Sequence, residues 1–307
     1  MSTILIGVET SERSRDAIAF GRRLATAAGA DVIVANAYPY SDLPSRASNA
    51  AYREALRDNA LETVEAMRQE LGEVGAPAEI LVAPNVSPAH ALHRIAEVRD
   101  AALIIVGSTH TGRAGRVLPG STGERLIHGS PCAVAVVPRE YRSRADEPIK
   151  RIGVAYNSTE EADAALAAGI ELARGLGAEL EVIGVVSAES FGTPALMSGG
   201  PSPLSLRADI ENKVQQSLDA MLGEVPSDVA ATSVRLTGDP ADELAARSTE
   251  LDLLVTGSRG YGPLHSVLVG GVSARIMRSA ACPVIAVPRG VEAPLEHLFG
   301  SSTATTA

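Results

Sequence analysis

Short apolar runs alternate with amphipathic segments along the whole chain. The first run covers residues 4–8, and residues 14–28 then carry apolar side chains at every third or fourth position. An unbroken apolar run is typical of a strand buried on both faces, whereas the longer period indicates a helix with one face in the core. The pattern therefore predicts strands that alternate with helices.

The first half of the chain predicts five strands and four helices. We expect the strands at residues 4–8, 32–35, 79–82, 103–106 and 133–137, and the helices at 14–28, 52–71, 88–98 and 121–128. Gly29 is expected to end the first helix. The second half repeats this order from residue 152 to residue 287. Such alternation requires crossover connections, so an α/β fold with parallel sheets and helices on both faces follows, with ligands beyond the carboxyl ends of the strands.

An internal repeat divides the chain into two halves. The run LIIVGS at residues 103–108 recurs as LLVTGS at 253–258, and Arg125 and Arg275 keep the same offset. A length of 307 residues also suits two domains. We expect one domain at residues 1–140 and another at 149–290, joined by a charged linker. Residues 187–206, rich in Gly, Pro and Ser, predict either a lid or a disordered connection, with a mobile loop favoured, and residues 301–307 predict a frayed tail.

Composition narrows the range of partners. Aromatic residues make up 3% of the chain and Trp is absent, so few side chains are available to stack on nucleic-acid bases. The formal net charge of -10 opposes binding to nucleic-acid backbones or to anionic membranes. No apolar run approaches the roughly 18 residues that a membrane span needs. We therefore expect neither a nucleic-acid nor a membrane partner.

The two cysteines lie at equivalent repeat positions inside apolar strands. Cys132 and Cys282 are expected to be buried free thiols rather than a disulfide or metal ligands. The chain also starts without a signal-peptide pattern, so a cytoplasmic location is expected. His90 and His93 lie three residues apart on a predicted helix, but no Cys or carboxylate cluster accompanies them, which favours an ordinary amphipathic helix over a metal site.

Two glycine-rich segments are the main candidates for chemistry. Glycines let a backbone approach phosphate oxygens, and a following helix start offers free N–H donors, so the spacing predicts a cradle for a triphosphate. The second-half segment consists of Gly257 and Gly260, then nine residues, then Gly270, Gly271, Val272 and Ser273. The first-half segment consists of Gly107 and His110, then nine residues, then Gly120, Ser121 and Thr122.

Each of these residues also has a simpler interpretation. Gly107 and Gly257 end buried strands, which is reason enough for a glycine. Ser121 and Ser273 stand near a helix start, where serine commonly caps the helix. His110 replaces a glycine, so it either disturbs a loop that needs a positive backbone angle or donates a hydrogen bond to a phosphate.

Both halves resemble the universal stress protein family in its tandem form. The family's nucleotide motif is Gly, two residues, Gly, nine residues, then Gly followed by Ser or Thr, and its last strand often reads PCPV, matched here by PCAV at 131–134 and ACPV at 281–284. The resemblance implies two Rossmann-like domains of the adenine nucleotide alpha hydrolase-like type, each with a five-stranded parallel sheet. It also implies that the two halves pair through residues 134–137 and 284–287, and further homodimerisation is common in the family.

The resemblance also implies positions for a bound nucleotide. In ATP-binding members an Asp at the end of the first strand faces the adenosine, and backbone groups of the second strand hold the adenine. The Asp position is assigned to Glu9 in the first half and Ala155 in the second, and the backbone positions are Ala37 and Val185. Glu9 has the alternative interpretation of a solvated surface carboxylate.

Three functions follow from these observations. The leading one is a stress-response protein that binds ATP, ADP or AMP, with or without Mg²⁺, and signals through its bound state. The second is a scaffold with degenerate nucleotide sites that binds protein partners. The third is a slow ATP hydrolase. It is the weakest because the chain lacks a Gly-Lys-Ser or Gly-Lys-Thr loop, a carboxylate pair arranged for Mg²⁺ and an evident nucleophile with its base.

Overall fold

The computed structural model describes residues 2–40, 50–73, 77–108, 121–127, 129–187, 203–258, 271–290 and 295–299. In the first half these residues form strands β1 Thr3–Gly7, β2 Asp31–Tyr38, β3 Glu79–Pro84, β4 Ala101–Gly107 and β5 Ala133–Val137, with helices α1 Glu12–Ala28, α2 Ala50–Leu71, α3 Pro88–Arg99 and α4 Ser121–Ile127. Every strand and helix predicted for this half is confirmed, with bounds that differ by a few residues.

The second half repeats the order. Its strands are β6 Arg151–Ala155, β7 Glu179–Ser187, β8 Ala231–Gly238, β9 Leu253–Ser258 and β10 Val284–Pro288, and its helices are α5 Glu160–Leu176, α6 Pro203–Glu224, α7 Pro240–Arg247 and α8 Val272–Ser279. The loop predicted at 187–206 is therefore too long, because residues 203–206 already belong to α6. The rest of that loop, residues 188–202, and the predicted tail at 301–307 lie outside the described residues.

All ten strands form one sheet in the order β3-β2-β1-β4-β5-β10-β9-β6-β7-β8. Pairing is parallel within each half, as predicted. The two halves join where β5 and β10 run antiparallel, with Ala135 opposite Ile285 and Val136 opposite Val284. This confirms the expected pairing of the fifth strands, which removes both strands from the edge of the sheet.

The helices cover the two faces of the sheet in fixed groups. Alternate residues of a strand point to opposite faces, so Ile4 and Ile6 join one apolar core while Leu5 joins the other. The core around Ile4 also contains buried residues of α1, α2, α5 and α6, and the core around Leu5 contains buried residues of α3, α4, α7 and α8. Each core includes residues of both halves.

Gly29 ends α1 with φ of 61°, in the left-handed region that favours glycine, so its predicted role is confirmed. Gly177 ends α5 in the same way with φ of 64°. These equivalent helix ends show how closely the second half reproduces the first.

The charged linker expected between the domains folds against α1. Residues Tyr141–Arg144 form a 3-10 turn, and the Tyr141 side chain is buried. The buried Asp16 carboxylate accepts hydrogen bonds from the backbone N–H groups of Glu140 and Arg142, both at 3.0 Å. Burial raises the pKa of Asp16 despite these donors. The linker is thus a packed connector. Tyr141, which stands among its charged residues, packs its side chain into the core.

Both cysteines are free and buried, as predicted. Burial raises the pKa of the Cys132 thiol to about 12 and also raises the pKa of the Cys282 thiol. Among the described residues, no group of His, Cys, Asp and Glu side chains is arranged to hold a metal ion. None of the helices in the described ranges combines the length and the apolar character of a membrane span.

Candidate functional site

The first glycine of each motif lies in the last two residues of a central strand and touches the helix that follows the first strand of its half. A Cβ atom on Gly107 would lie 2.4 Å from the carbonyl oxygen of Arg13, at the start of α1. A Cβ atom on Gly257 would lie 2.3 Å from the carbonyl oxygen of Glu161, at the start of α5. Close helix packing is therefore a sufficient reason for both glycines, whether or not a ligand binds beside them.

The structure describes only part of the two glycine segments. His110, Gly120, Gly260 and Gly270 lie outside the described residues. Ser121 begins α4 and Thr122 follows it in the first turn. In the second half, Gly271 is the N-cap of α8, Val272 is its first residue and Ser273 its second.

Ser273 does not cap its helix, so that interpretation is wrong. Its Oγ instead donates a hydrogen bond to the carbonyl oxygen of Gly257 at 2.7 Å. The bond joins the start of α8 to the end of β9 and brings the two ends of the second glycine segment together. Gly271 supplies no side-chain cap.

Glu9 lies just beyond β1, at the carboxyl end of the sheet. The buried Ser14 holds its backbone, because the Ser14 Oγ accepts from the Glu9 N–H at 2.8 Å and donates to the Glu9 carbonyl at 2.7 Å. The Glu9 carboxylate accepts from the Ser11 hydroxyl at 3.0 Å and pairs with Arg13. The side chain remains 56% exposed. The carboxylate is thus oriented and still accessible to a ligand.

The backbone of Ala37 faces the space beyond the end of β1. The Val8 N–H donates to the Ala35 carbonyl at 2.8 Å, whereas the Tyr38 carbonyl accepts from Asn85, on the β3 side. Backbone groups alternate in direction along a strand, so those of Ala37 point the same way as those of Ala35. The backbone groups of Ala37 lie beyond the last hydrogen bond between β1 and β2, so they can donate to or accept from a bound molecule.

Val185 has the same place in the second half. The Tyr156 N–H donates to the Ile183 carbonyl at 2.9 Å, as Val8 does to Ala35. The backbone of Val185, two residues further along β7, therefore points past the end of β6.

Ala155 does not correspond to Glu9, so the assignment of the carboxylate position in the second half is wrong. Ala155 ends β6 and pairs with Ile183, as Gly7 ends β1 and pairs with Ala35. The counterpart of Glu9 is Asn157, which the sequence interpretation missed.

Two local features identify Asn157. It precedes the helix cap Thr159 by two residues, as Glu9 precedes the cap Ser11. Its Oδ1 accepts from the Thr159 hydroxyl at 2.8 Å, as the Glu9 carboxylate accepts from that of Ser11. Alignment of these two hydroxyl residues in the sequence is the signal that would have found it.

Comparison with known proteins gives a consistent result. The model of the universal stress protein family matches residues 1–138 and 148–288. A universal stress protein of Mycobacterium tuberculosis is 29% identical over 214 residues, which cover 66% of this chain and 73% of the relative. Another from the same organism is 28% identical over 233 residues, 75% of this chain and 74% of the relative.

Solved structures share the fold over almost the full length of the chain. A universal stress protein from Archaeoglobus fulgidus superposes with a TM-score of 0.70 at 20% identity, covering 94% of this chain and 98% of its own. A putative universal stress protein from Pseudomonas aeruginosa superposes with a TM-score of 0.61 at 16% identity, covering 97% and 96%. Identities this low show a common fold and nothing about the ligand.

Proposed function

This chain belongs to the universal stress protein family, with two domains in tandem, and from that premise we propose that it binds an adenine nucleotide and acts in stress response through its bound state. The ligand is ATP, or the related ADP or AMP. The nucleotide is held without rapid turnover, so the protein is a binding module rather than an efficient enzyme. The proposed domains are residues 1–140 and 149–290.

The observation that carries this proposal is the juxtaposition of Glu9 and Ala37. The backbone groups of Ala37 point past the end of β1 and offer a donor and an acceptor at the end of the sheet, which suits the edge of an adenine ring. The accessible carboxylate of Glu9, just beyond the neighbouring strand, suits the hydroxyl groups of a ribose. Parallel sheets place ligands at this end.

The phosphates are assigned to the glycine segments. In the first half these are Gly107, His110, Gly120, Ser121 and Thr122, where α4 begins and directs backbone N–H groups outward. In the second half the matching positions are Gly257, Gly260, Gly270, Gly271, Val272 and Ser273, with Val185 for the base and Asn157 near the ribose. Mg²⁺ enters the proposal only as a companion of the phosphates, since the described residues offer no cluster of metal ligands.

A cytoplasmic location is part of the proposal. Two free, buried thiols suit a reducing compartment. The nucleotide-bound protein would signal its state through homodimerisation or through binding to other proteins.

The first experiment is to purify the full chain without added nucleotide, denature it and quantify the released adenine nucleotides by chromatography. The proposal expects ATP, ADP or AMP at about one equivalent or more per chain, or saturable binding when ATP and Mg²⁺ are added to the empty protein. Neither release nor binding would leave the protein-binding scaffold as the better account. Release of phosphate from ATP over many turnovers would instead favour the hydrolase.

A further inference from the structure

A cavity of about 630 Å³ lies on the face of the sheet that α1 and α5 cover. Its walls come from α1, from the last turns of α2 and α5, and from the connector, so both halves of the chain line it. Small-molecule pockets span about 300 to 1,000 Å³ and are common where domains meet. The cavity therefore has the size and the position of a ligand site.

The cavity extends along α1 away from the proposed nucleotide sites. A helix that joins two parallel strands returns the chain from the carboxyl end of the sheet to its amino end. Arg22 lines the cavity about 15 Å along α1 from Glu12, and Leu176 lines it as the last residue of α5. Both lie toward the amino end of the sheet, whereas Glu9 follows the carboxyl end of β1. A molecule held beside Arg22 would therefore not occupy the place of the proposed nucleotide.

Arginines dominate the charged lining of the cavity. Four arginines and two carboxylates line it, although carboxylates outnumber basic residues in the chain as a whole, whose formal net charge is -10. The charged lining residues are Arg15, Arg22, Arg23, Arg142, Glu70 and Asp146.

Two of these arginines are already balanced by carboxylates. Arg15 pairs with Glu12 at 2.7 Å and with Glu70 at 2.9 Å. Arg142 also pairs with Glu12. These ion pairs hold one end of the cavity in place and contribute little positive charge to it.

The other two arginines have no carboxylate partner among the described residues. Arg23 donates from Nη1 to the neutral carbonyl of Ala145 at 2.9 Å. Arg22 is exposed and forms no hydrogen bond or ion pair with a described residue. Asp146, which shares the cavity with them, is likewise without an ion pair in the described part of the chain. The cavity thus presents two adjacent guanidiniums and one carboxylate to a ligand.

We propose that this cavity binds a hydroxylated phosphate monoester, the chemical class of the sugar phosphates. The dianionic phosphate accepts charge-assisted hydrogen bonds from Arg22 and Arg23. Hydroxyl groups of the ligand donate to the Asp146 carboxylate, which would repel a phosphate that had no hydroxyl to offer. Ile18 and Leu176 supply an apolar wall for the carbon skeleton. The site goes beyond the proposed function and does not depend on it.

The test is isothermal titration of the full chain, at physiological salt, with glucose 6-phosphate, glucose and inorganic phosphate as probes. Glucose 6-phosphate is expected to bind saturably at one equivalent per chain. Glucose and inorganic phosphate should each bind at least about tenfold more weakly, because each lacks one of the two sets of contacts. Saturating adenosine, which has no phosphate, should leave the binding of glucose 6-phosphate unchanged because it would occupy the other end of the sheet.

Four variants assign the contacts. Arg22→Gln and Arg23→Gln should each weaken glucose 6-phosphate by about tenfold or more, the range for a hydrogen bond to a charged group. Asp146→Asn should weaken glucose 6-phosphate but strengthen inorganic phosphate, because it removes both a strong acceptor and a repelling charge. Arg94→Gln, a change to an exposed arginine of α3 that pairs with Glu97, should alter neither and is the control for general loss of positive charge.

The inference would be overturned by absence of saturable binding of glucose 6-phosphate, by equal affinity for glucose, or by displacement with adenosine. It would also be overturned if both Arg22→Gln and Arg23→Gln bound as the wild type does, if Arg94→Gln weakened binding equally, or if Asp146→Asn bound glucose 6-phosphate more tightly. Failure of the chain to bind adenine nucleotides would instead overturn the proposed function and leave this site in place.

Discussion

The Arg247 guanidinium donates two hydrogen bonds to the buried carboxylate of Glu181, from Nε at 2.7 Å and from Nη2 at 2.5 Å. The first half has Ile33 and Ile95 at the equivalent places, where Ile33 is buried in the core and Ile95 of α3 packs against that core. The same position of the fold is therefore filled by an apolar pair in one domain and by an ion pair in the other.

This relationship predicts strong coupling between two substitutions. Arg247→Ile alone should lower the free energy of unfolding by about 2 to 3 kcal/mol, because it leaves the buried Glu181 carboxylate unpaired. Glu181→Ile alone should cost less, because Arg247 keeps its ion pair with Glu250. The effect should be below that of a fully buried pair because Arg247 is 21% exposed. The double change to isoleucine should lie within about 1 kcal/mol of the wild type or above it. Urea unfolding of the four proteins measures this, and additive losses would contradict it.

The motif glycines should matter for stability without any ligand. Gly107→Ala places a Cβ atom 2.4 Å from a backbone oxygen, so α1 must shift, and we expect a loss of about 1 to 3 kcal/mol in nucleotide-free protein. Gly271 is the matched control, since a Cβ atom added there would meet no described atom within 4 Å and its φ is -60°. Gly271→Ser should therefore be neutral or slightly stabilising through a better helix cap. Equal thermal unfolding of all three proteins would refute the packing explanation.

The connector between the domains should contribute to the stability of the first domain. The rings of Phe20 and Tyr141 meet edge to face, with centroids 5.5 Å apart and an interplanar angle of 87°. Tyr141→Ala removes this buried contact and should lower the free energy of unfolding by about 3 kcal/mol, whereas Tyr141→Phe keeps the ring and should cost less than about 1 kcal/mol. Chemical denaturation followed by circular dichroism distinguishes the two. A negligible effect of the alanine would show that the connector packs only loosely.

The buried thiols predict a loss of stability in mild alkali. In the unfolded chain the pKa of a thiol is about 8.5, whereas in the folded chain burial raises the pKa of Cys132 to about 12. Above the unfolded pKa the folded chain binds more protons, so stability falls as pH rises, by about 1.4 kcal/mol per pH unit for each thiol, until the folded pKa is reached.

The Cys132→Ala variant isolates this effect. Its free energy of unfolding should be measured from pH 8 to pH 10. It should fall less steeply than that of the wild type, by about 1.4 kcal/mol per pH unit. Identical slopes would show that the folded thiol ionises as readily as the unfolded one.

The alternation of apolar runs and amphipathic segments was sufficient to predict the fold, because a strand buried on both faces such as β4 has no polar position to obscure it. The packing of the connector was harder to predict, because its charged residues suggest a segment exposed to solvent and only Tyr141 indicates that part of it is buried. The pairing of β5 with β10 came from the family resemblance. Apolar strands such as β5 and β10 show that the edge of the sheet must be covered. The sequence pattern does not show which part of the chain covers it.

The candidate site was predicted less well for a physical reason. The proposed nucleotide site would use the backbone direction at Ala37 and Val185, which any side chain permits, so the sequence pattern contains no signal there. The error at Ala155 arose because strand ends are poorly defined in sequence, whereas Ser11 and Thr159, at the N-cap positions of α1 and α5, mark the start of each helix.

Because α1 and α5 share one apolar core, binding of the proposed nucleotide to either domain would affect the whole chain. Ile4 of the first half, Ile152 of the second and Leu295 near the end of the chain belong to the same cluster. A ligand that binds only the folded state stabilises every segment that unfolds together with the binding site. The gain in free energy grows with the logarithm of the ratio of ligand concentration to dissociation constant. Nucleotide held by one domain would therefore slow proteolysis of the other, so the lifetime of the protein itself would report the nucleotide supply.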